Sequence, residues 1–156
     1  MKKQVFRFAS VLLLSSVFVL VSSCKKDSDF DDGSGIEVSM RNGNNGDTYI
    51  NINGHSLNIG SDNNFYYRGY FGNEYNYSED GYKNIASVGS VGGLSSIKSI
   101  PTSGWAQTVA VNPGHGYVLR SNDGYARVYV KKWLYSAENT SAIIGASVVY
   151  EEDWKP

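Results

Sequence analysis

Apolar and polar residues alternate with a period of two along most of the chain. IEVSM (36–40) alternates, and TYINI (48–52) and HSLNI (55–59) flank Asn53-Gly54. That dipeptide marks a hairpin strongly, because both residues tolerate the positive φ of a type I′ turn. A second hairpin is expected to join YVLRS (117–121) to YARVYVKKWLY (125–135) across Asn122-Asp123-Gly124. WAQTVAV (105–111) precedes the turn Asn112-Pro113-Gly114, and IIGASVVY (143–150) reads as a last strand. No 12-residue window holds a 3.6-residue period. Seven or more short strands joined by polar turns predict an all-β fold, a small antiparallel β-sandwich or open barrel built from hairpins.

One segment departs from this rhythm. In IASVGSVGGLSSIKSIP (85–101), Ile85, Val88, Val91, Leu94, Ile97 and Ile100 recur at every third position. A period of three fits neither α-helix nor strand. It fits polyproline II, short 3₁₀ turns, or a loop pinned to the core at intervals. Two readings follow: a crossing loop with inward aliphatics, or a repeat-like recognition surface.

The first 23 residues have the form of a secretion signal, with Lys2, Lys3 and Arg7 ahead of the apolar stretch ASVLLLSSVFVLV (9–21). That stretch is short of the roughly 20 apolar residues of a membrane span. Val21-Ser22-Ser23-Cys24 follows, and it resembles the lipobox of bacterial lipoproteins, cut before a cysteine that then carries acyl chains. The resemblance implies lipidation of Cys24, and so a membrane as partner. The alternative is an ordinary free thiol, which as the chain's one cysteine would have no disulfide partner. One acyl chain holds marginally at about 0.8 kcal/mol per buried CH₂, whereas two or more hold firmly. KKDSDFDDGSG (25–35) contains four aspartates and little apolar material, so residues 24–35 read as a disordered tether. Its acidic run after the anchor resembles the surface-export signal of Bacteroides-type bacteria. This implies an outer-membrane location facing the cell exterior, the alternative being a spacer on a lipoprotein facing the periplasm.

Beyond residue 23 lie 133 residues, with no linker after Gly35, so 36–156 forms a single β domain. All fifteen acids but only eleven of the fourteen basic residues lie there, giving a charge of about −4 spread along the chain. Nucleic acid as a partner calls for a basic face instead. The two histidines, His55 and His115, are sixty residues apart and lack a cysteine pair, which excludes the usual zinc sites. No cofactor is implied.

The segment VGSVGGLSSIKSIPTSGWAQTVAVNPGHGYVLR (88–120), with YARVYV (125–130) and IIGASVVY (143–150), resembles a domain repeated among surface lipoproteins of Bacteroides-type bacteria. The likeness covers about the C-terminal half. Its most specific pieces are Ile100-Pro101 through Trp105 and Pro113-Gly114-His115-Gly116-Tyr117. The resemblance implies a β fold at the cell surface and carries over no catalytic residue.

Two aromatic stretches are candidate binding surfaces. FYYRGYFGNEYNYSEDGY (65–82) holds eight aromatics in eighteen residues. With a turn at Gly72-Asn73, Tyr70 would face Tyr75 and Arg68 would face Tyr77. Tyr66 would share that face, making a ladder of rings around one guanidinium. Tyrosine supplies a rigid apolar plate with a polar tip, suited to sugar stacking or protein contact and equally to packing within a hairpin. In YARVYVKKWLY, strict alternation puts Ala126, Val128, Val130 and Leu134 toward the core. Arg127, Tyr129, Lys131, Trp133 and Tyr135 then lie on the other face, a solvated surface or a platform for a sugar or anion. A turn at Asp123-Gly124 would set Arg120 opposite Arg127. Like charges so placed destabilise a sheet, so either the register differs or an acid such as Glu138, Glu151 or Glu152 lies between them.

No catalytic constellation accompanies these surfaces. His115 stands between glycines without a G-x-S-x-G motif and reads as a turn residue. Asn42 to Asp47 lacks the spacing of a calcium loop. Glu79-Asp80 and Glu151-Glu152-Asp153 are neighbours in sequence, which alternation aims to opposite faces. The expectation is a non-enzymatic module that binds a glycan or a partner protein through aromatic residues. The alternative is a structural or assembly component of the outer-membrane surface, whose sheet edges pair with neighbours.

Overall fold

A computed structural model describes residues 35–46, 48–69 and 83–156. Cys24, the tether before Gly35, and Tyr70, Tyr75 and Tyr77 lie outside the described residues. Nine strands are present among them: β1 (Ile36–Arg41), β2 (Ile50–Ile52), β3 (His55–Ile59), β4 (Asn64–Gly69), β5 (Ile85–Ser90), β6 (Thr108–Ala110), β7 (His115–Ser121), β8 (Gly124–Tyr135) and β9 (Ile143–Trp154). They form a five-stranded sheet, β1-β9-β8-β7-β5, and a four-stranded sheet, β2-β3-β4-β6. Every strand pair is antiparallel. The fold is the β-sandwich that the hairpin pattern predicts, not a closed barrel.

The Asn53-Gly54 turn forms as expected. Asn53 and Gly54 take φ of 48° and 73°, and Ile52 pairs with His55. Across the β7–β8 hairpin Ser121 pairs with Gly124, so the loop is Asn122-Asp123 rather than Asp123-Gly124. That shift corrects the expected clash of like charges: Arg120 faces Tyr125, and Arg127 faces Val118.

The core between the sheets follows from alternation. Met40, Tyr117, Leu119, Val128, Val130, Val148 and Tyr150 of the larger sheet meet Ile52, Leu57, Ile59, Phe65 and Tyr67 of the smaller. Phe65 and Tyr117 pack edge to face with centroids 5.0 Å apart. The Tyr117 hydroxyl donates to the Ala110 carbonyl (2.8 Å) and accepts from the Asn112 amide (2.9 Å). The Tyr67 hydroxyl donates to the Ile52 carbonyl at 2.8 Å. Burial pushes both phenols above the usual tyrosine range.

The period-three segment supplies a third layer. Residues 91–107 cross the outer face of the five-stranded sheet as a strap, with one 3₁₀ turn at Leu94–Ser96. Val88, Val91, Leu94, Ile97 and Ile100 join Val118, Tyr129, Val149 and Trp154 in a second apolar cluster, while Ile85 enters the first. From Val91 onward the structure bears out the crossing-loop reading, whereas Ile85–Ser90, expected to be no strand, is β5, where a register shift between Ser87 and Gly89 breaks the period of two. Gly116 lets the strap approach closely, because a Cβ there would lie 2.7 Å from Val88 and 2.8 Å from Ile97. The strap ends where Ala106 and Ile85 exchange backbone hydrogen bonds (2.8 and 3.2 Å), just before the chain enters the smaller sheet at β6.

Candidate functional site

Two of the three irregularities in the pairing of β8 with β9 decide which side chains near the candidate site reach the surface. The first falls at Val130–Lys132. Val130 faces Val148 and Lys132 faces Ser147, so Lys131 is one residue too many for its partner strand. An extra residue reverses the facing of everything after it. Trp133, expected outside, therefore faces Ala146 and packs against the inner core.

The outer aromatic platform of β8 does not form as expected. Tyr129 is 8% exposed and lies under the strap. Lys131 reaches sideways to Glu37 at 3.0 Å. Arg127 donates through Nε and Nη2 to Oε2 of Glu151 (2.8 and 2.6 Å) and through Nη1 to the Ile97 carbonyl (2.8 Å). Of the three acids considered, Glu151 is thus the one beside Arg127. Of the tyrosine ladder, Tyr66 sits on β4 facing Thr108 and donates its hydroxyl to Asp62 at 2.8 Å; Arg68 faces Ser56 on β3. His115 begins β7, its amide bonded to the Asn112 carbonyl within the expected turn.

The second irregularity lies at the end of β9. Tyr125 faces Trp154 and Arg127 faces Glu151, so Glu152 and Asp153 together oppose Ala126. Asp153 takes φ of +51°, a left-handed conformation uncommon outside glycine, asparagine and aspartate. This bulge brings Trp154 to the outer face beside Tyr125, where both join the second cluster.

A row of rings and guanidinium groups results at this pole of the sandwich. Arg120 lies 4.4 Å from the Trp105 ring centre, Trp105 is 6.5 Å from Tyr125, and Arg127 lies 5.4 Å from the Trp154 ring. The Trp105 indole N–H donates to the Pro101 carbonyl at 3.1 Å, which fixes the plane of that ring. Rings between cations are what the β8 sequence predicts, but with other members. Only Arg127 is common to both sets.

An open cleft of about 480 Å³ adjoins this row, bordered by Ile100, Asp123, Gly124, Tyr125, Asp153, Trp154, Lys155 and Pro156. Its volume falls within the range of small-ligand sites, about 300–1,000 Å³. Asp123 arrives on the β7–β8 turn, Asp153 on the bulge, and Ile100 on the strap. No local sequence pattern marks this cleft, because its borders come from three separated segments. One signal was available: Asp153-Trp154-Lys155 puts an aromatic between opposite charges at a strand end. No group of three metal-ligating side chains occurs among the described residues.

Comparison of the chain with family models, with curated proteins and with solved structures returned no match.

Proposed function

We propose that this chain is a lipid-anchored cell-envelope protein at the outer-membrane surface, acting as a non-enzymatic module that holds a glycan or a partner protein. The observation that carries the reading is the cleft beside Tyr125 and Trp154. There Tyr125 and Trp154, with Asp123, Asp153 and Lys155, border an open cleft whose volume lies in the small-ligand range. Anchorage rests on Val21-Ser22-Ser23-Cys24, and export to the exterior on the acidic run that follows.

Capture from cell-surface extracts and a glycan array, each run with the full chain and with Tyr125→Ala, test the binding reading. Retention that falls with the substitution supports it; equal retention by both chains removes it. Labelling with palmitate tests the anchor, and label that persists in Cys24→Ser would overturn lipidation at that residue.

A second reading, assembly through sheet edges, draws on one observation. Among the described residues β1 and β2 are edge strands, with Ile36 54% exposed on β1 and Tyr49 57% exposed just before β2. Unpaired edges of this kind offer backbone groups to a neighbouring strand. It predicts a stable complex on cross-linked cells without added sugar.

A further inference from the structure

The charges around the cleft constrain what it can hold. Asp123 and Asp153 border it with a single cation, Lys155, and Glu152 is exposed next to Asp153. In the adjoining row Arg127 is paired with Glu151, and Arg120 stands over Trp105, which leaves one negative charge in excess and disfavours a carboxylate, sulfate or phosphate group. Ionised carboxylates accept hydrogen bonds and donate none. They suit a ligand rich in hydroxyl or ammonium donors. Tyr125 adds a ring that touches Trp105 on the strap and borders the cleft, an apolar plate already held in place. Donor-rich edges combined with apolar C–H faces describe a pyranose sugar.

The position of the cleft bears on where that sugar comes from. β1 enters the fold at Ile36, opposite Tyr150, and β9 runs from Tyr150 toward Trp154 at the cleft. The start of the domain and the cleft therefore share one pole. Residues 25–35 span at most about 40 Å when extended. With the anchor at Cys24, on which this step depends, the pole bearing the cleft is kept close to the bilayer.

We propose that the cleft is a subsite for an uncharged or amine-bearing hexose of a membrane-displayed glycan. The sugar stacks on Tyr125, and its hydroxyls or amine donate to Asp123 and Asp153. The proposal rests on the binding reading above and narrows it to one ligand class.

Trp154 borders the cleft and serves as its reporter. The full chain in phosphatidylethanolamine vesicles is titrated with glucose, glucosamine, galacturonate and glucose 6-phosphate while tryptophan emission is followed. Glucose and glucosamine are expected to give saturable changes, with the two anionic sugars weaker by about tenfold or more. Tyr125→Ala should weaken glucose binding about tenfold. Asp153→Asn keeps a residue that tolerates positive φ, so the fold is retained, and should weaken glucosamine about fivefold or more. Equal response to charged and uncharged sugars, or indifference to both substitutions, overturns the sugar assignment.

A second arm places glucosyl-diacylglycerol either in the same vesicles as the protein or in separate ones. A stronger response in the same vesicles supports the membrane-facing geometry, and equal response overturns it. Capture of a protein through Tyr125, with no response to any sugar, overturns this inference while sparing the binding reading. Silence in every assay overturns both.

Discussion

The two apolar clusters differ in how the chain builds them. The inner one is made almost wholly by strands, each placing alternate residues between the sheets. The outer one lies on the opposite face of the five-stranded sheet, where a strap supplies the lid and β7, β8 and β9 the floor. Strands hold the inner core by ladders on either side. Among the described residues the strap has two backbone ties to the sheet, from the Val91 amide to the Gly114 carbonyl at 2.9 Å and at Ala106–Ile85, and depends otherwise on side chains. Arg127 is foremost among these, joining the Ile97 carbonyl above to Glu151 beside it. The outer layer thus has fewer backbone ties than the strands around the inner one, and it is expected to open first.

Truncation should separate the two most sharply. Leu119→Ala, in the inner core, is expected to cost about 3–5 kcal/mol in global unfolding, because paired strands cannot collapse into the cavity. Leu94→Ala, equally buried beneath the strap, should cost nearer 2 kcal/mol. Hydrogen exchange should then quicken through 91–107 while β7 and β8 stay protected. Denaturant midpoints and exchange maps decide this, and equal loss of protection everywhere would merge the layers into one cooperative unit.

Alkali attacks the inner layer first. Burial raises the phenols of Tyr67, Tyr117 and Tyr150 above their usual value. The unfolded chain releases these protons near pH 10, while the folded chain retains them to higher pH. Their contribution is fully present below pH 10 and is lost as pH rises beyond it. The slope is up to about 1.4 kcal/mol per pH unit for each tyrosine. Unfolding followed between pH 9 and 12 should show the decline, and Tyr117→Phe should make it shallower. A stability that stays level across that range would contradict it.

Arg127→Ala should cost about 2 kcal/mol and loosen the strap, leaving Glu151 and the Ile97 carbonyl without their donor. Arg127→Lys restores only part of this, since one ammonium cannot match the spread of the guanidinium. The smallest effect is expected at Glu37, which accepts from Ser147 at 2.8 Å and pairs with Lys131 on an uncovered part of the same sheet. The Ser147 hydroxyl, then Lys131, holds its carboxyl below the usual value. Its stabilisation is present above the unfolded value near 4.3 and fades as pH falls through the lower folded value. The carboxylate is about half exposed, so Glu37→Gln should change stability by less than about 0.5 kcal/mol.

Period-two alternation made the inner core legible, since each of its strands obeys a local rule. The Asn53-Gly54 hairpin was legible for the same reason. The strap announced itself through spacing, yet alternation could not say that Tyr129 would lie beneath it. A strand's outward face looks the same in sequence whether water or a distant segment covers it. Trp133 and Trp154 escaped for another reason. Each follows a bulge, and one extra residue inverts the facing of all that come after. The cleft combines both difficulties, with borders drawn from the β7–β8 turn, the second bulge and the strap.

The shared pole has a mechanical consequence. A pull between Ile36 and a ligand seated by Trp154 acts on strands that run antiparallel and start from the same end. Such tension does not shear the β1–β9 ladder along its length. It peels that ladder open from Ile36–Tyr150 toward Arg41–Gly145, rupturing a bond or two at a time. Loading the molecule in this way would detach the outermost strand at low force.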